Sequence, residues 1–383
     1  MTHTTGQDVI IVGAGIIGGA IALELARRGV RVTVFDRGAV GREASSAAAG
    51  MLSPQAEAQE PSPLFHLGIA SRARYPEWLR KVSLESGTRI DFGACGLLNL
   101  ALTEEAAIAL KARSDWQVRL GLRSDWVTGR EARALDPVLS KGLAGALLLP
   151  DEAWVDSAAL TRALAIAAVR HGARIEEHCE VTSLLLHGGR VAGVAVGNRH
   201  HAAERVVIAA GAWSSRIGGM PFPSDWIEPS RGQIVAVRRQ APIEHILYTH
   251  GDTSGDTHSA YLAPRGADEL LLGATVEHAG FEREVTVGGL TSILSAVARF
   301  APAVAAAPVV RLVAGLRPEP RDGLPLIGPL ARLPGLVLAT GHFRHGILLA
   351  PITGELVAQA IVSGDTPPAL APFLPDRVPA TSS

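Results

Sequence analysis

The stretch from Asp8 to Arg37, DVIIVGAGIIGGAIALELARRGVRVTVFDR, constrains the chain more than any other. A short apolar run, a glycine cluster, a helical run, a glycine stop and a second apolar run read as one βαβ unit. The pattern predicts a buried strand over Val9 to Val12, a helix over Gly15 to Arg28 ended by Gly29, and a second strand over Val30 to Phe35. Gly13, Gly15 and Gly18 make up GxGxxG. The first permits the tight turn, the second lets the backbone approach a pyrophosphate, and the third lets helix and strand pack closely. The helix N-terminus then turns its free N–H groups toward the phosphates. Asp36 stands where a carboxylate would accept hydrogen bonds from a ribose. A dinucleotide site follows, and the motif alone does not choose between NAD and FAD.

Composition narrows the partners. The 36 Lys and Arg against 37 Asp and Glu give no general attraction to nucleic acid or to an anionic membrane, so a small molecule is the expected partner. At about 150 residues per domain, 383 residues imply two or three domains. Cys95 and Cys179 stand far apart with no CxxC pair, so neither a disulfide framework nor a structural metal is indicated, and a reducing cytoplasm fits. No signal peptide is expected, because Asp8 interrupts the first apolar run and no basic segment precedes it. No transmembrane helix is expected either, since the longest apolar stretch, Val9 to Leu23, is the glycine-interrupted βα segment.

Further along, Arg42 to Pro54 (REASSAAAGMLSP) is too small and polar for a core strand. Taken alone it reads as an ordinary helix start capped by Ser45 or Ser46, although its alanines and Gly50 would also let a flat ring lie against the backbone. Leu64 to Ser83 reads as an amphipathic helix, and Gly87 to about Leu149 mixes strands and helices. Nucleotide-domain texture returns near Asp156: Ser157 caps a helix to His171, strands follow at Ala173 to Ile175, Val181 to Leu186 and Val191 to Val196, and RVVIAAG from Arg205 ends a buried strand in glycine. From Gly232, GQIVAVRR, HILYTH, AYLAPR and ELLLGAT alternate like strands of an antiparallel sheet, followed by a helix from Leu290 to Phe300. Leu336 to Ala339 makes a strand, Gly341 to Gly346 a turn and Ile347 to Val362 a helix whose N-terminus faces that turn. The Pro-rich residues 366–383 read as a surface tail.

Four separated segments now form a set: GxGxxG with Asp36, SSAAAGM at Ser45 to Met51, AGLRP at Ala314 to Pro318 with Asp322-Gly323, and GHFRHGILLAP at Gly341 to Pro351. Together they resemble the FAD-dependent D-amino-acid oxidase superfamily, and within it most closely the bacterial glycine oxidases of thiamine biosynthesis. The resemblance runs from Asp8 to about Asp365, and the flat-ring reading of Ser45 to Met51 prevails with it. It implies a mixed α/β (α+β) fold, in which a Rossmann-like FAD-binding domain is interleaved with an antiparallel-sheet substrate domain. The FAD domain would comprise residues 1–85, 150–220 and 308–365, and the substrate domain residues 86–149 and 221–307. By resemblance, Ile16, Ile17, Asp36, Arg37, Ala44, Ser45, Ala49, Gly50, Met51 and Val181 would contact FAD beside Gly13, Gly15 and Gly18. His342, Phe343, Arg344, His345, Gly346, Ile347 and Leu348 would lie at the pyrimidine side of the ring. Glycine-rich backbone at a helix N-terminus suits that place, because its N–H groups meet the negative charge of a reduced flavin.

An amino acid bound for oxidation needs its carboxylate clamped, its Cα hydrogen aimed at the flavin and its amine neutral. Arg317 in AGLRP matches the family's carboxylate clamp, since a planar guanidinium pairs bidentately with a carboxylate. Tyr261 in AYLAPR matches its partner hydroxyl, and Arg344 is the second arginine near the ring. No side-chain base is required, because the Cα hydrogen leaves as hydride. The implied reaction is oxidative deamination of glycine, and of sarcosine and small D-amino acids, with O2 reoxidation to H2O2 and release of glyoxylate or imine and ammonia for thiazole formation. The alternative within the superfamily is a D-amino-acid dehydrogenase or a sarcosine oxidase. FAD is expected to be noncovalent, because Gly315 stands where flavin-linking sarcosine oxidases carry cysteine. His342 and His345 form HxxH without a third ligand, so no metal is expected, and His200-His201 reads as an exposed loop pair. His345 replaces the asparagine common in relatives, and Asp36 the more usual glutamate. The family also implies a homotetramer and a hand-off of product to thiazole synthase.

Overall fold

The computed structural model describes residues 8–250 and 259–380. The chain opens with β1 (Asp8–Val12), α1 (Ile16–Arg27) and β2 (Arg31–Phe35), the βαβ unit expected. Its turn depends on glycine. Gly13 adopts φ 105°, and a Cβ there would lie 2.4 Å from the Ala209 carbonyl oxygen, while one on Gly18 would lie 1.9 Å from the Gly13 oxygen. Helix α1 is buried along almost its whole length, because two other helices flank it, and its apolar residues accordingly surround the axis. After Asp36 come α2 (Ala44–Ala47), β3 (Met51–Leu52), α3 (Pro54–Glu57) and α4 (Pro63–Ser86). Ser62 caps α4 by accepting from the Phe65 amide at 3.1 Å, and Gly87 ends it in the left-handed region.

The next segment adds β4 (Phe92–Gly93), β5 (Leu97–Ala101), α5 (Glu104–Arg119), β6 (Asp125–Thr128), α6 (Gly129–Leu135), β7 (Gly145–Leu149) and β8 (Ala153–Val155). Then α7 (Ser157–Arg170) begins, capped by Asp156, which accepts from the Ala159 amide at 2.9 Å. The expected cap, Ser157, instead donates to the Ala48 carbonyl, because the helix starts one residue earlier than a Ser157 cap requires. Strands β9 (Arg174–Glu176), β10 (Val181–His187), β11 (Arg190–Val196), β12 (Arg199–Ala202) and β13 (Arg205–Ile208) follow. His200 and His201 therefore belong to a strand rather than a loop, and the His201 ring packs on Phe35 at 4.7 Å.

The last part holds β14 (Ile227–Arg238), β15 (Ile246–Thr249), β16 (Ala260–Arg265), β17 (Glu269–Gly273), α8 (Val287–Phe300), β18 (Val309–Pro320), β19 (Leu326–Pro329), β20 (Leu336–Thr340) and α9 (Gly346–Ser363). Two large sheets result. One is a six-stranded sheet in the order β19-β20-β13-β1-β2-β9, parallel except for β19. The other has eight strands, β18-β14-β17-β16-β15-β5-β7-β6, antiparallel except where β15 runs alongside β5. Helices α1, α4, α7 and α9 cover one face of the parallel sheet and share its core. Helix α8 lays Ile293, Val297 and Phe300 against the second sheet.

Among the described residues, α9 is the helix long and apolar enough to cross a membrane, and 72% of that apolar stretch is buried inside the protein. Residues 366–380 depart from the expected surface tail. Leu370 and Phe373, 0% and 1% exposed, join the core beside α9, and Val378 is buried in the cluster behind β13 and β20. Prolines set the chain in short turns at Pro368–Phe373 and Pro375–Arg377, and the apolar residues between them fall on one side. Residues 381–383 of that segment lie outside the described residues.

Candidate active site

A single cleft, about 1990 Å³ with its open mouth included, runs between the two sheets. It starts outside the carboxyl ends of β1, β2 and β13, where ligands settle in open parallel sheets. Asp36 marks that end. Its Oδ2 accepts from the Ala14 amide at 2.7 Å and its Oδ1 from the Gly38 amide at 2.8 Å. Burial pushes the Asp36 carboxyl above the ordinary range, against the pull of the two amides. Ser45 Oγ accepts from the Ile16 amide at 2.9 Å and so ties α2 to the start of α1. The wall between is mostly backbone and small side chains: Gly13, Gly15, Ala44, Ala49, Gly50 and Met51 line it, with Ile16, Ile17, Arg37 and Val181 alongside. A Cβ on Gly15 would meet only Ser45 Oγ, at 3.1 Å, so the wall there is open to the cleft. Bare backbone at the start of a helix and a carboxylate beyond it fit a dinucleotide.

Farther in, the turn from Gly341 to Gly346 brings His342, Phe343, Arg344, Gly346 and Ile347 to the cleft. Phe343 holds φ 47°, a left-handed conformation uncommon for such a residue, and its amide donates to the Pro318 carbonyl at 2.9 Å. Among the described residues no side chain caps α9, so its first N–H groups are open to a ligand. His342 is buried and bonded to Thr353 Oγ1 at 3.2 Å; burial pulls its pKa down to about 3, which keeps it neutral. Three expected cofactor residues do not line the cleft. Gly18 packs under Gly13, Leu348 enters the core with its carbonyl bonded to Ser71, and His345 turns toward Glu57. Among the described residues, no group of three or more His, Cys, Asp or Glu could hold a metal.

The three expected catalytic residues meet at the inner end, beneath the eight-stranded sheet. Arg317, on β18, lays its guanidinium across Gly232 of the paired strand β14, where a Cβ would come within 2.2 Å of it. Tyr261, on β16, likewise lies across Gly273 of β17, with its hydroxyl 2.3 Å from where a Cβ would stand. Two glycines thus clear the floor for two long polar side chains. Arg317 donates to the Thr275 carbonyl at 2.9 Å, and no carboxylate among the described residues stands within ion-pair distance of it. Burial lowers its pKa, with the nearby charge of Arg344 adding to the effect. Tyr261 is pushed up to about 12 by burial, against the two arginines, so its hydroxyl stays protonated and able to donate.

Arg344 is held differently. Its Nη2 donates to Ser259 Oγ at 3.1 Å and to the Tyr248 hydroxyl at 3.4 Å, and Glu57 Oε2 lies 3.8 Å from its Nε. The Glu57 charge raises the Arg344 pKa above its usual value. Glu57, Tyr248, Thr275 and Ser259 were not anticipated. Tyr248 stands directly across from Tyr261 in the β15–β16 register, so the alternation in HILYTH could have found it had the register been known. Glu57 sits on a four-residue helix with no periodic signal. An added Cβ on Gly315 would lie 2.6 Å from Ala47 Cβ, and neither Cys95 nor Cys179 lines the cleft.

Comparison with known proteins agrees with this geometry. Residues 8–360 match the DAO family profile, described as FAD dependent oxidoreductase. A glycine oxidase of Geobacillus kaustophilus is 39% identical over 375 residues, covering 97% of each chain. A bifunctional protein ThiO/ThiG of Trichormus variabilis is 32% identical across 96% of this chain and 54% of its own length. The crystal structure of the Geobacillus kaustophilus glycine oxidase superimposes with a TM-score of 0.89 at 36% identity, covering 96% of this chain and 98% of that one. The chain belongs to the DAO family of FAD-dependent oxidoreductases.

Proposed function

We propose that the protein oxidatively deaminates glycine, with sarcosine and small D-amino acids as further substrates. The observation that carries this reading is Arg317, a guanidinium at the inner end of the cleft with a carbonyl but, among the described residues, no carboxylate to pair with. A substrate carboxylate would complete it bidentately, and the protonated Tyr261 hydroxyl would donate a further bond. Arg317, which Glu57 does not pair as it pairs Arg344, keeps the cavity positive, which disfavours an ammonium and so favours the neutral amine that oxidation requires. FAD, when bound, supplies the acceptor for the Cα hydride and passes the two electrons to O2. The sum is amino acid, water and O2 going to 2-oxo acid, ammonia and H2O2; from glycine the oxo acid is glyoxylate.

The glycine oxidase relatives, similar over nearly their whole length, support the choice of substrate. The ThiO/ThiG fusion supports a hand-off of product into thiazole formation by thiazole synthase. FAD would be held without a covalent link, because Gly315 has no side chain and packs against Ala47. Residues 1–85, 150–220 and 308–365 would act as the FAD domain and 86–149 with 221–307 as the substrate domain, with β18 of the former crossing over to pair with β14 in the eight-stranded sheet; a cytoplasmic homotetramer completes the reading. Arg317→Ala tests it. The variant should retain its yellow FAD while kcat/KM for glycine falls by about a hundredfold or more, the loss of two charged contacts at roughly 1.5–3 kcal/mol each. Wild-type kinetics in that variant would contradict the clamp.

A further inference from the structure

We infer that Phe281 and Arg283, outside the cleft and on the connection between β17 and α8, retain the cofactor by closing a ring of side chains over the Asp36 end of the cleft. Three chain segments build the ring. Arg37 and Glu43 come from the stretch after β2, Trp213 and Arg216 from the short turn Gly211–Arg216 after β13, and Phe281 and Arg283 from the chain leaving the eight-stranded sheet. Arg37 sets its guanidinium 3.6 Å from the centre of the Trp213 ring and donates to Glu43 Oε1 at 2.8 Å. Glu43 Oε2 accepts from Arg283 Nη1 at 2.6 Å. Phe281 packs on Trp213 with ring centres 5.4 Å apart, and Arg216 covers Phe281 at 4.0 Å.

The first four of these residues line the cleft, whereas Phe281 and Arg283 support them from outside. The contacts that Phe281 and Arg283 make join the second sheet to the first at the mouth of a dinucleotide site. The ion pairs are exposed, at 34% and 32% for Arg37 and Glu43 and 50% for Arg283, so water and salt weaken them. The aromatic pair and the two cation–π contacts are the stronger elements. FAD lying against Arg37, Trp213 and Arg216 is then released only when the Phe281 segment swings off. The same segment carries Thr275, whose carbonyl holds Arg317, so it spans both ends of the cleft.

The test is the rate of FAD release from the holoenzyme, followed by recovery of free flavin fluorescence on dilution, with Kd from titration of the apoprotein. Phe281→Leu keeps the apolar volume and removes the ring face; release should quicken about tenfold, the size of effect expected when an aromatic pair and a cation–π contact are lost together. Glu43→Gln cuts both ion pairs and leaves the stack, so release should quicken by about threefold. Apoprotein melting unchanged in both variants locates the effect at the ring. Release within twofold of wild type in Phe281→Leu overturns the assignment, whatever Glu43→Gln does.

Discussion

Glu57 offsets the charge of Arg344 from across the cleft: its Oε2 lies 3.8 Å from Arg344 Nε, and 3.7 Å from His345 Nδ1 on the same turn. Arg317, beside it at the inner end, has no such partner among the described residues. The pair therefore sets how many anionic groups the cavity accepts: one carboxylate on Arg317, none on Arg344. Glu57→Gln leaves Arg344 uncompensated. At about 8 Å and an effective dielectric of about 20, one unit of charge is worth roughly 2 kcal/mol. The kcat/KM ratio of D-aspartate to D-asparagine should rise at least about tenfold in the variant. An unchanged ratio contradicts the role given to Glu57.

Two groups of the cavity stay clear of the neutral range. Tyr261 is pushed up to about 12 by burial and His342 down to about 3 by burial. The break in kcat/KM should then belong to the substrate ammonium, with log kcat/KM rising by about one per pH unit until the amine is neutral. D-Alanine and 3-fluoro-D-alanine separate the cases, since fluorine makes the amine less basic. The break should move down with the fluorinated substrate; a break that stays in place for both assigns it to the enzyme. Tyr261→Phe should leave the shape of the profile intact and raise KM about five- to tenfold, the loss of one hydrogen bond.

The short helix that carries Glu57 is fixed from behind by a buried polar cluster. Glu152 Oε1 accepts from Arg72 Nη1 at 2.6 Å and from the Gln55 backbone amide at 3.0 Å, while Oε2 has no partner among the described residues. Burial pushes the Glu152 carboxyl up to about 7 from an ordinary 4.5, with Arg72 pulling the other way. In the unfolded chain the proton leaves near 4.5, in the native protein near 7. The contribution of Glu152 to stability is thus full below pH 4.5 and is lost as pH rises to about 7. Glu152→Gln removes this dependence, so the wild-type minus variant difference in Tm should fall between pH 4.5 and 7 and then level off. A difference that grows with pH refutes the direction of the shift.

Much of the molecule is readable in its residues because local patterns and long-range structure agree there. Gly13 and Gly18 serve the geometry that GxGxxG implies, and Arg317, Tyr261 and Arg344 meet in one cavity although 83 residues of chain separate Tyr261 from Arg344. What escaped is what only tertiary packing decides. Glu57 acquires its partner from a turn 287 residues away, and Trp213 its cation from Arg37 on another segment. Leu370 and Phe373 sit among prolines that suggest an exposed tail, and only the surface left open beside α9 gives them a place to bury. Asp156, not Ser157, caps α7 because either residue type can cap, and the one-residue difference lies within what sequence patterns resolve.

The proposed substrate is an amino acid with no more than a hydrogen or a small group on its Cα. The most direct measurement is H2O2 release by the FAD-loaded protein across glycine, sarcosine, D-alanine and D-phenylalanine. With glycine, peroxide should be matched one-to-one by glyoxylate, and kcat/KM for D-phenylalanine should lie well below that for glycine. Turnover of D-phenylalanine with none of glycine, or electrons passed to a quinone and not to O2, would contradict the proposed function.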